Sequence, residues 1–233
     1  MVKVDLHTHT SDDPVDRIPY TSQQLIDRAA ALGYDALAIT LHERQLDISP
    51  LESYAAARGV VLIPGIERTV EGRHVLLLNF PGGTEDVHTF DDLRRLKQET
   101  GGLVVAPHPF FPAGQSLFGQ LTAHADLFDA VEKNAMFTTT LNFNRPAEAW
   151  ARRHGKPMVG NGDVHRLVQL GTTYSLVDAE PNASSICAAI AAGHVRVVSR
   201  PISWATAISV VSGLLATQLL PRGRSLTPSA APV

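Results

Sequence analysis

The sequence predicts a single α/β domain, and three observations support this class. Short apolar runs alternate along the chain with amphipathic segments of helical length, which is the order found in folds built from βα units. The 233 residues are 44% hydrophobic, enough to bury one substantial core. Side chains that can bind metal ions follow almost every apolar run. The carboxyl ends of parallel strands in a barrel meet on one face, so this pattern favours a barrel with a site on that face.

The predicted strands are short apolar runs bounded by turn residues. They cover residues 2–6, 36–40, 60–64, 74–80, 103–107, 127–132 and 157–160. The predicted helices cover residues 22–32, 51–58, 91–100, 146–154 and 183–192. Thr21 and Gln24 have the spacing of a capping box at the first helix, and Gly33 follows its end. Pro146 suits the first turn of its helix, and Gly155 suits the exit.

A long uncharged segment follows the last predicted helix. Residues 202–220 contain no charged residue, and this length could just cross a bilayer. Small polar residues recur every three or four positions on a different stripe from the large apolar ones. This spacing favours an amphipathic helix packed on the domain or a partner over a membrane anchor. We therefore expect a domain over residues 1–200, a helix over residues 201–221 and a disordered tail over residues 222–233.

Charge and cysteine content limit the classes of partner and compartment. The formal net charge is −3, so the chain lacks the basic balance that dominates nucleic-acid affinity. We therefore expect no double-stranded nucleic-acid partner, and at most a weak membrane or partner contact through residues 202–220. The single cysteine, Cys187, fits a reducing compartment and a packing role. No apolar signal segment follows Met1, so we expect a cytoplasmic protein.

Histidines and carboxylates stand at the ends of successive predicted strands. In chain order these residues are His7, His9, His42, Glu67, His108, Glu132, Asp163 and His165, and His74 instead begins its strand. Residues i and i+2 of a strand share a side, so His7 with His9 points two ligands in one direction. A lone residue of this kind is more often structural, but that interpretation does not account for so many strand ends. Imidazole and carboxylate ligands suit Zn, Mn or Fe, so the sequence predicts a metal site. The four remaining histidines, at 88, 124, 154 and 194, are predicted at the surface.

These residues stand in motifs that resemble those of the PHP family, the polymerase and histidinol phosphatase domain superfamily. In chain order the motifs are DLHTHTSDD, ALAITLHE, PGIE with HVLLL, APHPF and GNGDVH, between Val4 and about Ser199. The family usually has Asp where this chain has Leu41. The resemblance implies a distorted, TIM-barrel-like barrel of about seven βα units with two or three divalent metal ions.

The resemblance also implies a ligand set for each ion. The first ion would have the ligands His7, His9, Glu67 and Asp163. The second would share Glu67 as a bridging ligand and add His74 and His108. The third would have His42, His165 and one aspartate of the first loop. On spacing, that aspartate is Asp12 or Asp13, with Asp16 less favoured, and Glu132 would support the ligands without binding metal.

The expected activity is metal-dependent hydrolysis of a phosphoester. A hydroxide generated on the metals would attack phosphorus in line, with His42 or His165 as general acid and Glu67 as the bridge between ions. Arg44, Arg145 and Arg17 are candidate phosphate ligands. We expect the substrate to be a small phosphorylated metabolite or a nucleotide.

Three alternatives remain at this point. A metal-dependent amidohydrolase is disfavoured because Glu67 fills the bridging role and Lys133 is the only lysine near a strand end. A non-catalytic metal-binding module is disfavoured because decayed sites usually lose ligands. A proofreading nuclease is disfavoured by the acidic charge balance and by the lack of a polymerase domain.

Overall fold

The computed structural model describes residues 1–219, with the backbone alone for residues 213–219. Within these residues the strands are β1 (Val2–Asp5), β2 (Ala36–Ile39), β3 (Val61–Val70), β4 (Arg73–Leu78), β5 (Leu103–Ala106), β6 (Ala130–Asn134), β7 (Met158–Asn161), β8 (Thr173–Val177) and β9 (Val195–Ser199). The helices are α1 (Ser22–Ala31), α2 (Ser49–Ala56), α3 (Phe90–Thr100), α4 (Gly119–Ala123), α5 (Arg145–His154), α6 (Ala183–Ala191) and α7 (Trp204–Leu219), with a 3₁₀ helix at Thr84–Asp86.

The nine described strands form one sheet in the order β7-β6-β5-β4-β3-β2-β1-β8-β9. Strands β1, β2 and β3 are parallel to one another, and so are β5, β6 and β7. Strand β4 is antiparallel to both β3 and β5, and β8 is antiparallel to β1 and β9. The sheet curls until β7 lies against β8 and β9. The predicted distorted barrel is therefore confirmed, although it is not built from seven regular βα units.

The antiparallel direction of β4 decides where His74 lies. Because β4 runs against its neighbours, its first residues share an edge with the carboxyl ends of β3 and β5. Thr69 of β3 is paired with His74, close to the end of that strand. The one predicted ligand that begins its strand therefore lies with those that end theirs.

Gly160 allows the barrel to close. A Cβ atom at this position would lie 2.8 Å from the backbone oxygen of Tyr174 and 2.8 Å from a methyl carbon of Val197. The Ser175 hydroxyl bonds the backbone of Gly160 on both sides, accepting from its amide at 2.9 Å and donating to its carbonyl at 3.2 Å. A residue without a side chain is needed where β7 approaches β8 and β9 this closely.

Local sequence signals account for the predicted helices. The capping box of Thr21 and Gln24 is present, with both reciprocal hydrogen bonds formed. Gly155 ends α5 in the left-handed region at φ 63°. Cys187 is buried on α6 in the apolar core, as predicted. Strands β8 and β9 and the short helix α4 were not predicted.

Helix α7 follows β9 at the C-terminal end of the described chain. The amide of Ile202, just before it, donates to the carbonyl of Phe137 at 2.9 Å. Val210 is buried, whereas Trp204 and Ile208 are exposed. Among the described residues, no helix has both the length and the apolar character needed to cross a membrane. The tail predicted over residues 222–233 lies outside the described residues.

Candidate metal centre

Four ligand atoms converge at the carboxyl ends of β1 and β3 and in the loop after β7. His7 Nε2 lies 3.2 Å from Glu67 Oε2 and 3.4 Å from Asp163 Oδ1. His9 Nε2 lies 3.4 Å and 3.7 Å from the same two oxygens. Ligands at about 2.0–2.1 Å around a tetrahedral ion are separated by roughly 3.3 Å. The spacing of these four atoms therefore fits a divalent ion between them.

The chemistry of the two histidines supports this fit. His7 Nδ1 lies 2.9 Å from a Glu132 oxygen, and His9 Nδ1 lies 2.9 Å from an Asp13 oxygen. A carboxylate only accepts, so each Nδ1 donates and each Nε2 carries the lone pair that a metal needs. Both Nε2 atoms are buried and have no hydrogen-bond partner, an arrangement that costs free energy unless a ligand satisfies them.

Glu67 presents its second oxygen to another pair of histidines. Oε1 lies 2.7 Å from His74 Nδ1 and 3.1 Å from His108 Nε2. Its Oε2 also lies 3.1 Å from His42 Nε2. One buried carboxylate therefore faces two separate groups of imidazoles, which is the geometry of a bridging ligand.

The third predicted group is also brought together. The potential ligand atoms of His9, His42 and His165 lie within 4.8 Å of one another. His165 Nε2 lies 3.1 Å from a carboxylate oxygen of Asp16. Asp16 and His165 both line a cavity of about 330 Å³ over the cluster, so Asp16 is the first-loop aspartate that faces it.

The expectation that Asp12 or Asp13 binds metal is not met by their positions. The carboxylate of Asp12 accepts hydrogen bonds from the hydroxyls of Thr10 and Ser22. Asp13 Oδ2 accepts from Nδ1 of His9 and from Nδ1 and the amide of His42 at 2.9–3.0 Å. Asp13 therefore orients two imidazoles from behind, and spacing along the loop could not reveal this.

Glu132 accepts hydrogen bonds from members of the cluster and from two partners that the sequence analysis missed. Its two oxygens accept from His7 Nδ1 at 2.9 Å and from the amide of His108 at 2.7 Å. Asn161 and Asn134 also donate to them, at 3.0 Å and 3.2 Å. Asn134 donates in addition to Asp163 at 3.0 Å. Both asparagines end a strand, which is the signal that could have identified them.

Three residues beside the cluster have positive φ angles without being glycine. Asp163 has φ 47°, His108 has φ 27°, and Glu43, next to His42, has φ 60°. Each such conformation costs on the order of 1–3 kcal/mol, and it persists only where the surroundings enforce it. These three strained backbone conformations therefore lower the stability of the fold, and they set the directions of the side chains.

Burial and neighbouring charges separate the histidine pKa values. Burial, followed by the charges of His165 and His42, lowers the pKa of His9 to about 3. Burial also opposes the charge on His165, but hydrogen bonds to Asp16 and Asp163 raise its pKa to about 10. Metal binding at His165 must therefore displace a proton, whereas His9 is already neutral.

The arginines predicted as phosphate ligands lie elsewhere. Arg44 and Arg145 are exposed, and Arg44 donates to the backbone oxygen of Asp12. Arg17 is exposed on the first loop. No arginine or lysine is among the described residues that line the cavity over the cluster. The four histidines predicted at the surface are also outside the cluster, with His124 stacked on Phe90 and His154 on Trp150.

Comparisons with known proteins bear on the family and the fold of this chain. A family model described as PHP-associated matches residues 142–195. A two-domain protein from Bacteroides vulgatus, containing a predicted PHP-like metal-dependent phosphoesterase, matches with a TM-score of 0.66 and 18% identity over 91% of this chain and 69% of that one. The chain has the fold of the PHP superfamily. The resemblance predicted from its motifs is thus confirmed. A comparison with curated protein sequences gives no match.

Two further solved structures with a similar fold differ in what they are named for. The lesion-specific endonuclease PfuEndoQ from Pyrococcus furiosus has a TM-score of 0.55 and 15% identity over 90% of this chain and 66% of that one. An amidohydrolase from Chromobacterium violaceum has a TM-score of 0.56 and 17% identity over 88% and 96%. At these identities the similarity concerns the fold.

The exclusion of double-stranded nucleic acid as a partner is wrong. Endonuclease Q has been solved with a 27-mer duplex whose abasic lesion lies at the active site, and that structure matches with a TM-score of 0.59. The net charge of −3 describes the whole chain. Divalent ions bound in one cleft would set the local field there, so the overall charge balance does not decide whether a polyanion can bind.

Proposed function

We propose that this chain is a metal-dependent hydrolase that cleaves a phosphoester. The observation that carries the proposal is the four-atom group of His7, His9, Glu67 and Asp163, with Glu67 also facing His74 and His108. The neighbours named as a phosphoesterase and as an endonuclease support phosphoester chemistry on this fold.

The residues that would hold two or three divalent ions, Zn, Mn or Fe, are the ones already described. In the first group they are His7, His9, Glu67 and Asp163; in the second, Glu67, His74 and His108; in the third, His42 and His165 with Asp16. Such ions supply positive charge to the phosphoryl oxygens and make water more acidic. This ligand set accepts all three metals.

The chain's own residues set the geometry and the protons. Glu132 and Asp13 fix the tautomers of His7, His9 and His42, so that each ligand nitrogen points into the cluster. When only the first two groups hold ions, so that His165 is not a ligand, it would hold a proton through its contact with Asp16 at the cavity surface. His165 is the better placed of the two candidate general acids, because both ring nitrogens of His42 already contact carboxylates, those of Asp13 and Glu67.

The test compares phosphate monoesters and diesters in the full-length protein. We expect release of 4-nitrophenol from 4-nitrophenyl phosphate or its bis-ester in the presence of Mn²⁺. Asp163→Asn replaces a charged candidate ligand by a neutral amide and should lower kcat/KM by about 10²- to 10³-fold. The matched control is His194→Ala, an exposed histidine far from the cluster. A metal-loaded protein that cleaves neither ester, nor a duplex oligonucleotide with an abasic site, would overturn the proposal.

Amide hydrolysis is a second candidate, because the amidohydrolase from Chromobacterium violaceum has the same fold. Lys133, the lysine nearest the strand ends, pairs with Glu148 at 2.6 Å. Glu67 stands where a bridging lysine carbamate would be needed. Hydrolysis of N-acetylated amino acids without cleavage of any phosphoester would favour this second function.

A further inference from the structure

A second cavity, of about 550 Å³, adjoins the metal centre. Asp163 and Asn134 line its inner end. Phe111 and Ala113 line both this cavity and the one over the cluster. Two groups bound in the two cavities can therefore belong to one molecule, and the volume is in the range of small-molecule sites.

The lining of this second cavity is apolar. Phe111 and Phe143 stand on one side with ring centroids 5.6 Å apart. Helix α7 supplies Trp204, Ile208 and Val211 on the other side. These three side chains are 51%, 63% and 46% exposed, so they form an open rim rather than part of the core.

The polar side chains that line the cavity are already engaged within the protein. The Asn134 amide donates to Glu132 and Asp163, and its oxygen accepts from the amide of Met136. The Thr138 hydroxyl accepts from the amide of Leu141, and the Ser212 hydroxyl donates to a backbone oxygen of the same helix. Of the described residues around the cavity, Asp163 alone is charged. The cavity therefore offers little to a sugar, a second phosphate or the edge of a base.

We propose that this cavity binds the alcohol part of the substrate and selects an apolar alkyl or aryl group, while the phosphoryl group lies against the metal centre. The inference rests on the proposed phosphoester hydrolysis and adds the class of substrate. Three features support it. The cavity is continuous with the ligand cluster through Asp163, its rim is apolar, and the polar side chains in its described lining are already engaged.

A series of straight-chain alkyl phosphates tests this directly. From ethyl to hexyl phosphate the leaving alcohols are almost equally reactive, so a change in kcat/KM reports contacts with the chain. Burial of each methylene should raise kcat/KM roughly three- to fourfold, or on the order of 100-fold from ethyl to hexyl. Phosphate release would be measured with the Mn²⁺-loaded, full-length protein.

A pair of variants on α7 locates the effect. Ala207 lines the cavity, whereas Ala205 is exposed on the same helix and does not. Ala207→Trp should fill the cavity and remove most of the preference for hexyl over ethyl phosphate. Ala205→Trp should retain it. If Ala207→Trp does not fold, Ile208→Ser at the rim should still reduce the preference several-fold.

Binding of non-hydrolysable analogues separates this inference from the proposed function. By isothermal titration calorimetry, hexylphosphonate should bind at least tenfold more tightly than ethylphosphonate, and Ala207→Trp should abolish the difference. Such binding without any phosphoester hydrolysis would support the apolar subsite and overturn the proposed function. Hydrolysis without a chain-length preference would overturn the subsite alone. So would an equal loss of that preference in Ala207→Trp and Ala205→Trp. Tighter binding of thymidine 5′-monophosphate than of hexylphosphonate, lost in Ala207→Trp, would assign the cavity to a nucleobase and overturn the inference.

Discussion

At the scale of single residues, two carboxylates outside the candidate ligand set orient three of its imidazoles. Glu132 and Asp13 accept from the Nδ1 atoms of His7, His9 and His42, so that the opposite nitrogen faces the centre. Ligand histidines in metal sites are commonly oriented in this way. Histidine pairs alone would not fix these tautomers, so the supporting acids are as much part of the site as the ligands.

Removing the charge of Glu132 should weaken metal binding without removing a ligand. Glu132→Gln keeps the volume but weakens the hold on His7 Nδ1 and leaves the His108 amide with a weaker acceptor. We expect metal affinity to fall by about 10- to 100-fold. Competition with a chelator of known affinity measures the metal affinity. The control is Glu148→Gln, which changes the glutamate that pairs with Lys133. An unchanged affinity would show that Glu132 has no role in the site.

Cys187 should be unreactive in the native protein. Burial and, secondarily, the charge of Asp129 raise its pKa from 9.0 to about 12. At pH 8 the thiolate fraction is then about a thousandfold lower than in the unfolded chain. Alkylation by iodoacetamide should be correspondingly slow in buffer and complete in urea. Comparable rates in the two conditions would contradict the buried position.

The same shift predicts a loss of stability at alkaline pH. The folded pKa lies above the unfolded one, so the stabilisation is fully present below pH 9 and is lost as pH rises towards 12. The thiol's share of the loss is about 1.4 kcal/mol for each pH unit in this window, as an upper bound. Urea unfolding of wild type and Cys187→Ala between pH 8 and 11 isolates it. Parallel pH profiles for the two proteins would refute the prediction.

At the scale of elements, the antiparallel strand β4 explains both a success and a failure of sequence reasoning. His74 could be singled out by its residue type, but its position at the start of a strand conflicted with a parallel barrel. Only the strand direction resolves this conflict. Direction depends on the Glu71–Gly72 turn between β3 and β4 and on contacts distant in sequence, which local apolar patterns do not encode.

Gly160 is the element-level contact whose substitution should loosen the barrel. In Gly160→Ala the new methyl group would meet the fixed backbone oxygen of Tyr174 at 2.8 Å. We expect a loss of about 1–3 kcal/mol in the free energy of unfolding, measured with urea. Gly82→Ala, where nothing lies within 4 Å, should change it by less than about 0.5 kcal/mol. Equal effects of the two changes would show that β7 does not close against β8 and β9 as described.

At the scale of the whole molecule, the fold and the convergence of the main candidate ligands could be predicted from the sequence, but the outer parts of the candidate site could not. His7, His9, Glu67 and Asp163 follow strands and stand in recognisable motifs. The choice of Asp16 over its two neighbours depends on how the first loop folds back over His165. Neither β8 nor β9 ends in a histidine or a carboxylate, so the pattern of such residues at strand ends did not predict these two strands.

Overall charge was the least informative property at this scale. A net charge of −3 led to the exclusion of duplex nucleic acid, yet endonuclease Q, which has a similar fold, was solved in complex with a duplex. The local charge of a cleft, including that of any ions bound in it, decides binding more than the net charge of the chain does. The apolar cavity beside Asp163 is invisible in composition, because its lining comes from the loop after β5, the segment after β6 and helix α7.

The metal content of the folded protein tests the central claim most directly. After dialysis against Mn²⁺ or Zn²⁺ and removal of excess ion, mass spectrometry should find about one or more equivalents per chain. Glu67→Gln, which keeps the shape but removes the charge facing both groups of histidines, should retain less than about a tenth of that metal while its circular dichroism is unchanged. A wild-type protein without metal, or a folded Glu67→Gln variant with equal metal content, would contradict the account.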